Sequence, residues 1–282
     1  MTYSANTTDH TPTANPTSRA ALDSEITVLM DGLFRLTALA GQAMDNATTA
    51  LLRANLPLAQ RVIDEHAAIS TLRHELDDRA VTLLSSQRPT VAQLRAIEAS
   101  LRVSGYLVRM GDVARHIADT TRRRHPRHTL PPQLRDTVHE MGEVAHRLTA
   151  RTAVVISQRD GRGALQSVES AHRDRMTHLH EELFQQLLYG LRQHRDAHVS
   201  QDVVVLGRYF EQYAEHAVAV TRRIAHVAAC ADAWAAAGTG PVATVVATPL
   251  AADYTPDYDP DQDPDQDYPT GHHVDPHPAV AV

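Results

Sequence analysis

Tyr106-Leu-Val-Arg-Met-Gly-Asp112-Val-Ala-Arg-His-Ile117 and Tyr209-Phe-Glu211-Gln-Tyr-Ala-Glu215-His216-Ala-Val-Ala-Val220 lie 103 residues apart and share one plan. Each reads as a helix with an acid at one matched position, Asp112 and Glu215, and the second copy adds Glu211 one turn earlier. Carboxylates at i and i+4 share a helix face and repel unless a cation stands beside them. The pair is therefore either a solvated acidic face or half of a metal site.

The duplication extends along the chain. Apolar residues at Ile26, Leu29, Leu33, Leu36, Ala40, Ala43, Ala47 and Ala50 alternate spacings of three and four, the mark of a bundle helix. Asn55 and Pro57 end that helix. A second stripe runs Leu58, Val62, Ile69, Leu72, Leu76 and Leu83, and a third holds Leu94, Ile97, Leu101 and the Asp112 segment. Leu134, Val138, Met141, Ala145, Leu148 and Val155 open the pattern again. Arg147-Leu-Thr-Ala150 repeats Arg35-Leu-Thr-Ala38 at an offset of 112, and Met176, Leu179 and Leu183 repeat Ile69, Leu72 and Leu76 at 107. The offset shrinks only at turns, one of them marked by Gly161 and Gly163. This predicts an all-α chain of two tandem antiparallel three-helix bundles, residues 23–128 and 129–238. Residues 1–22, rich in Thr, Ser, Asn and Pro, read as a disordered arm, and 239–282 as a disordered acidic tail.

Composition agrees. Hydrophobic residues are 43% and aromatics 4%, favouring close-packed helices. All 27 basic residues are Arg, which fits a GC-rich genome. The net charge of −7 hides eight Asp in the tail, without which the body stands at +1, so charge does not point to nucleic acid. No run of 18 apolar residues exists, the N-terminus lacks a secretory pattern, and the lone Cys230 fits a reducing cytoplasm. Nucleophile–base and phosphate-loop patterns are absent, no His/Cys zinc spacing occurs, and no paired Glu-x-x-His appears on equivalent helices. Among 18 His, which include His66, His74, His116, His172, His178 and His180, most read as surface residues. Arg122, Arg123 and Arg124 cluster where a helix dipole favours cations; their functional reading is a docking site for an acidic partner.

Several of these segments resemble the PhoU family in its actinobacterial form. Gln87-Arg-Pro89 with Leu94-Arg95 is similar to the family's Q-x-P-V-A-x-D-L-R turn, and Leu107–Asp112 to L-E-R-x-G-D. Leu206–His216 is similar to L-G-R-x-x-E-R-x-x-D-H, and Arg122–Pro126 also fits. The resemblance covers about residues 23–235. It implies a non-enzymatic cytoplasmic regulator that links a phosphate ABC transporter ATPase to a sensor histidine kinase and represses the starvation response at high phosphate. It implies membrane association only through partners and allows a homodimer. It further implies metal binding (Fe, Zn, Mn or Mg), which falls here on Glu211, Glu215, Asp112 and His216. The chain departs from the pattern at Val108, His66, Ser70, Arg173, Thr177 and Gln93, all expected acids. Fewer carboxylates weaken a hard-cation site, and Arg173 could take the metal's place beside the glutamates. The alternative is a divergent, metal-free helical scaffold with a changed partner.

Overall fold

The computed structural model describes residues 16–86, 89–158, 162–191 and 197–236. Repeat one comprises α1 (Pro16–Arg53), α2 (Leu56–Ser86) and α3 (Val91–Arg124). After a 3₁₀ turn (Pro132–Leu134), repeat two comprises α4 (Arg135–Gln158), α5 (Arg162–Ser170), a π segment (Ala171–Met176), α6 (Thr177–Leu191) and α7 (Ala197–Ala236). Ser170 and Thr177, on either side of the π segment, both keep right-handed helical dihedrals, so α5 to α6 runs on as one long fifth helix. The all-α, duplicated three-helix plan is therefore the observed one. Two details differ from the sequence reading. The first helix begins at Pro16, not near Asp23, because Leu22 (2% exposed) already belongs to the buried stripe. Gly163, read as part of a turn, is inside α5. Residues 1–15 and 237–282, which hold the rest of the predicted arm and the acidic tail, lie outside the described residues.

Local chemistry fixes the turns. Asn55 N–H donates to Ala50 O at 2.9 Å, closing α1 with a six-to-one bond, and Ala54 takes a left-handed φ of 48°. The Asn55 side chain then accepts from Leu58 N–H at 3.1 Å and starts α2. Thr90 and Gln93 form a reciprocal capping box at the start of α3. Gln93 Nε2 also donates to Asp23 Oδ1 at 2.8 Å, tying α3 to α1. The residue that departs from the family's acid is thus a structural cap.

The repeats share one core. All described residues belong to a single compact unit, with one apolar cluster running from Leu22 to Ile224. α1 packs on α4, and α3 on α7. Along α1 and α4, Gly41 meets Thr149, Asp45 meets His146, and Thr48 meets Gly142. Rising numbers on one helix match falling numbers on the other, so the crossing is antiparallel. The seam of α3 and α7 behaves alike: Glu98 pairs with Arg223, Tyr106 with His216, His116 with Tyr209, and Arg124 with Asp202. Where the two repeats meet, the fully buried Tyr213 hydroxyl lies 2.7 Å from Thr149 Oγ1 and donates to Ala40 O at 3.4 Å.

Candidate functional site

Arg208, Glu211 and Glu215 fall at i, i+3 and i+7 and share one face of α7. Gly207 brings α6 against that face. A Cβ there would lie 2.9 Å from His180 Cδ2 and 3.0 Å from Leu183 Cδ2, so a larger residue would push these side chains away from the face. The result places His180 Nδ1 3.2 Å from Glu211 Oε2. Arg208 Nη1 donates to Glu211 Oε2 at 2.9 Å and to Glu215 Oε1 at 3.3 Å. Burial pulls the Arg208 guanidinium down, but the Glu211 hydrogen bond and both carboxylate charges outweigh it and hold it above its ordinary value. One guanidinium thus lies between the two like charges that the sequence pairs.

Repeat one is built on the matching helices with different groups. Gly111 lets Ile69 of α2 close on α3. His66 of α2 then stands with Nε2 2.7 Å from Asp112 Oδ1. Burial raises the Asp112 carboxyl, but the hydrogen bond and charge of His66, with Arg115 and His116, outweigh it and hold it below its ordinary value. Position 108, which matches Glu211, is a buried valine. Arg115 donates to His116 Nε2 at 2.9 Å, and the His116 ring stacks on Tyr209 with centroids 5.4 Å apart. Burial, then the Arg115 charge, push His116 down. On the other side of the seam His216 faces Tyr106 with ring centroids 6.0 Å apart. Burial, helped by Arg109 and Arg208, pushes His216 down to about 4, so it is neutral at pH 7.

The four expected metal ligands are therefore drawn to different partners: Asp112 to His66, Glu211 and Glu215 to Arg208, and His216 to Tyr106. Among the described residues no three His, Cys, Asp or Glu side chains are grouped so as to hold a metal ion. The donor set does not fit the cation that the family resemblance implies. The reading of His66, His116 and His180 as surface residues is corrected by the structure. They face the seams because close glycine contacts and the α3–α7 crossing turn those helix faces inward. Arg208 was not singled out in the sequence, although its spacing to Glu211 and Glu215 was the available signal. The Arg173 side chain lies outside the described residues.

Arg122 and Arg123 both engage Asp119, at 2.5 and 3.5 Å, and Arg124 pairs with Asp202 of α7. The cluster thus closes the end of α3 and staples it to α7. Cys230 Sγ lies 3.7 Å from His226 Nε2 on the same helix.

Comparison with known proteins agrees with this architecture. The model of the PhoU domain matches residues 33–121. Phosphate-specific transport system accessory protein PhoU homolog 1 of Mycobacterium leprae is 39% identical over 206 residues, 73% of this chain and 91% of that protein. PhoU homolog 2 of Mycobacterium tuberculosis is 38% identical over 206 residues, 73% of this chain and 95% of its own length. The crystal structure of PhoU from Pseudomonas aeruginosa superposes with a TM-score of 0.67 at 18% identity, over 74% of this chain and 99% of that one. That likeness extends the agreement to the fold. With relatives 38–39% identical that it covers over more than nine-tenths of their length, the chain belongs to the PhoU family.

Proposed function

We propose that this protein is a non-enzymatic accessory regulator of a phosphate-specific transport system. In this reading it binds the transporter ATPase and a sensor histidine kinase on the cytoplasmic side and restrains the starvation response when phosphate is high. The observation that carries it is the 39% identity to an accessory protein across 206 residues, which spans both repeats. No helix among the described residues is long and apolar enough to cross a membrane, so contact with the membrane would come through partners. The exposed guanidiniums of Arg122 and Arg123 offer an acidic partner a basic edge.

The test is deletion of the gene, with phosphate uptake and a phosphate-responsive reporter measured at high and low phosphate. Loss of repression at high phosphate, with the transporter ATPase or a histidine kinase recovered on the tagged protein, is the expected result. Unchanged uptake and reporter output would refute the proposal.

A further inference from the structure

We propose that the carboxylates of both repeats are engaged by side chains of this chain, Arg208 with His180 in repeat two and His66 in repeat one, so that the fold stands without a bound cation.

A divalent hard cation needs several oxygen ligands with room between them, and its affinity rises with their charge. In repeat two only Glu211 and Glu215 remain on α7; the positions where the family resemblance expects acids on the fifth helix are Arg173 and Thr177. Glu211 Oε2 is already shared by Arg208 Nη1 at 2.9 Å and His180 Nδ1 at 3.2 Å. Arg208 also reaches Glu215 Oε1 at 3.3 Å, so its charge lies between the two acids. A metal ion placed there would have to expel a guanidinium that stays beside it on the same helix, cation against cation. In repeat one the single Asp112 is met by His66 at 2.7 Å, and Val108 supplies no second oxygen. Side chains of this chain thus meet the remaining acids at matched places, a guanidinium in repeat two and an imidazole in repeat one. Internal charge pairing and control of phosphate uptake are separable properties, and the experiment reads stability and metal content alone.

The experiment uses the full chain, stripped with EDTA, and follows Tm and retained metal. An empty cation site holds repelling carboxylates, so neutralising one would stabilise it. A site balanced by Arg208 responds in the opposite sense. Glu211→Gln is therefore expected to lower Tm by roughly 1–3 °C in EDTA, and Asp112→Asn to lower it likewise. Arg208→Ala should lower Tm too, and Arg208→Ala with Glu215→Gln should recover part of that loss by removing the bare i,i+4 repulsion. Circular dichroism confirms folding, and the isosteric Glu211→Gln keeps the comparison valid if Arg208→Ala does not fold. After incubation with Mn²⁺, Zn²⁺, Fe²⁺ or Mg²⁺ and gel filtration, wild type and Glu211→Gln/Glu215→Gln should retain the same background metal. A rise in Tm for Glu211→Gln, or a stoichiometric ion kept by wild type and lost from the double variant, would overturn the proposal.

Discussion

Gly142→Ala adds one methyl group where α4 crosses α1. The new Cβ would lie 2.6 Å from Thr48 Cγ2 and 3.5 Å from Thr48 Cβ and Oγ1. Thr48 is 7% exposed and β-branched, so its χ1 has little freedom to move the methyl aside. The reciprocal contact, Gly41 against Thr149 Cγ2 at 2.7 Å, pins the same crossing from the other side. Two effects compete. Replacing glycine inside a helix gains about 1 kcal/mol of helix propensity. Forcing a methyl into a packed contact costs about 1–3 kcal/mol. The net expectation is a loss of about 1 kcal/mol, or about 2–4 °C in Tm for a body of this size. Gly105→Ala provides the control, because nothing lies within 4 Å of its would-be Cβ. It should gain close to the full propensity term. Urea unfolding should show Gly142→Ala with a lower midpoint and an unchanged m-value. Thr48→Ala in the Gly142→Ala background should restore most of the loss, with a coupling of about 1–2 kcal/mol. If Gly142→Ala proves as stabilising as Gly105→Ala, the close crossing of the two repeats at this point is wrong.

Three further outcomes are expected. Ala54→Gly should raise stability by about 1 kcal/mol, because the left-handed φ of 48° suits glycine and strains alanine; thermal unfolding reads it. Tyr213→Phe should cost about 1 kcal/mol in urea unfolding by removing the hydroxyl that joins Thr149 and Ala40 across the repeats. Acid should destabilise the protein between pH 6.5 and about 4, because His216 titrates near 4 when folded and near 6.5 when unfolded. The unfolded chain then takes up the proton first, so stability is full above pH 6.5 and falls by up to roughly 3 kcal/mol as pH drops through that window. His116 shifts the same way, and His216→Gln should flatten the slope of urea midpoint against pH.

The fold was legible because its signal is redundant. Stripes such as Leu29, Leu33 and Leu36 recur at helical spacing, and the Tyr106 and Tyr209 segments repeat them in a second copy. The start of α1 was not legible, since Thr-, Ser- and Pro-rich composition hid a helix whose Leu22 is secured only by tertiary packing. The π segment at Ala171–Met176 was not legible either, because one wider turn leaves the apolar spacing on both sides intact.

The site divides along the same line between local and tertiary information. Glu211 and Glu215 announced a need for positive charge, and a partner on a neighbouring helix is the usual remedy for a metal-binding bundle. Here the first partner is Arg208, three and seven residues earlier on the same helix, a spacing that the sequence displays in full. His180 and His66 could not be assigned in that way. Their roles depend on how closely α6 approaches α7 at Gly207 and α2 approaches α3 at Gly111, and that closeness is set by side chains far apart in sequence. A histidine becomes a carboxylate partner in this fold when a glycine on the facing helix lets its ring come within hydrogen-bonding distance of the acid. The glycines, more than the acids, therefore carry the information about where the charges are balanced.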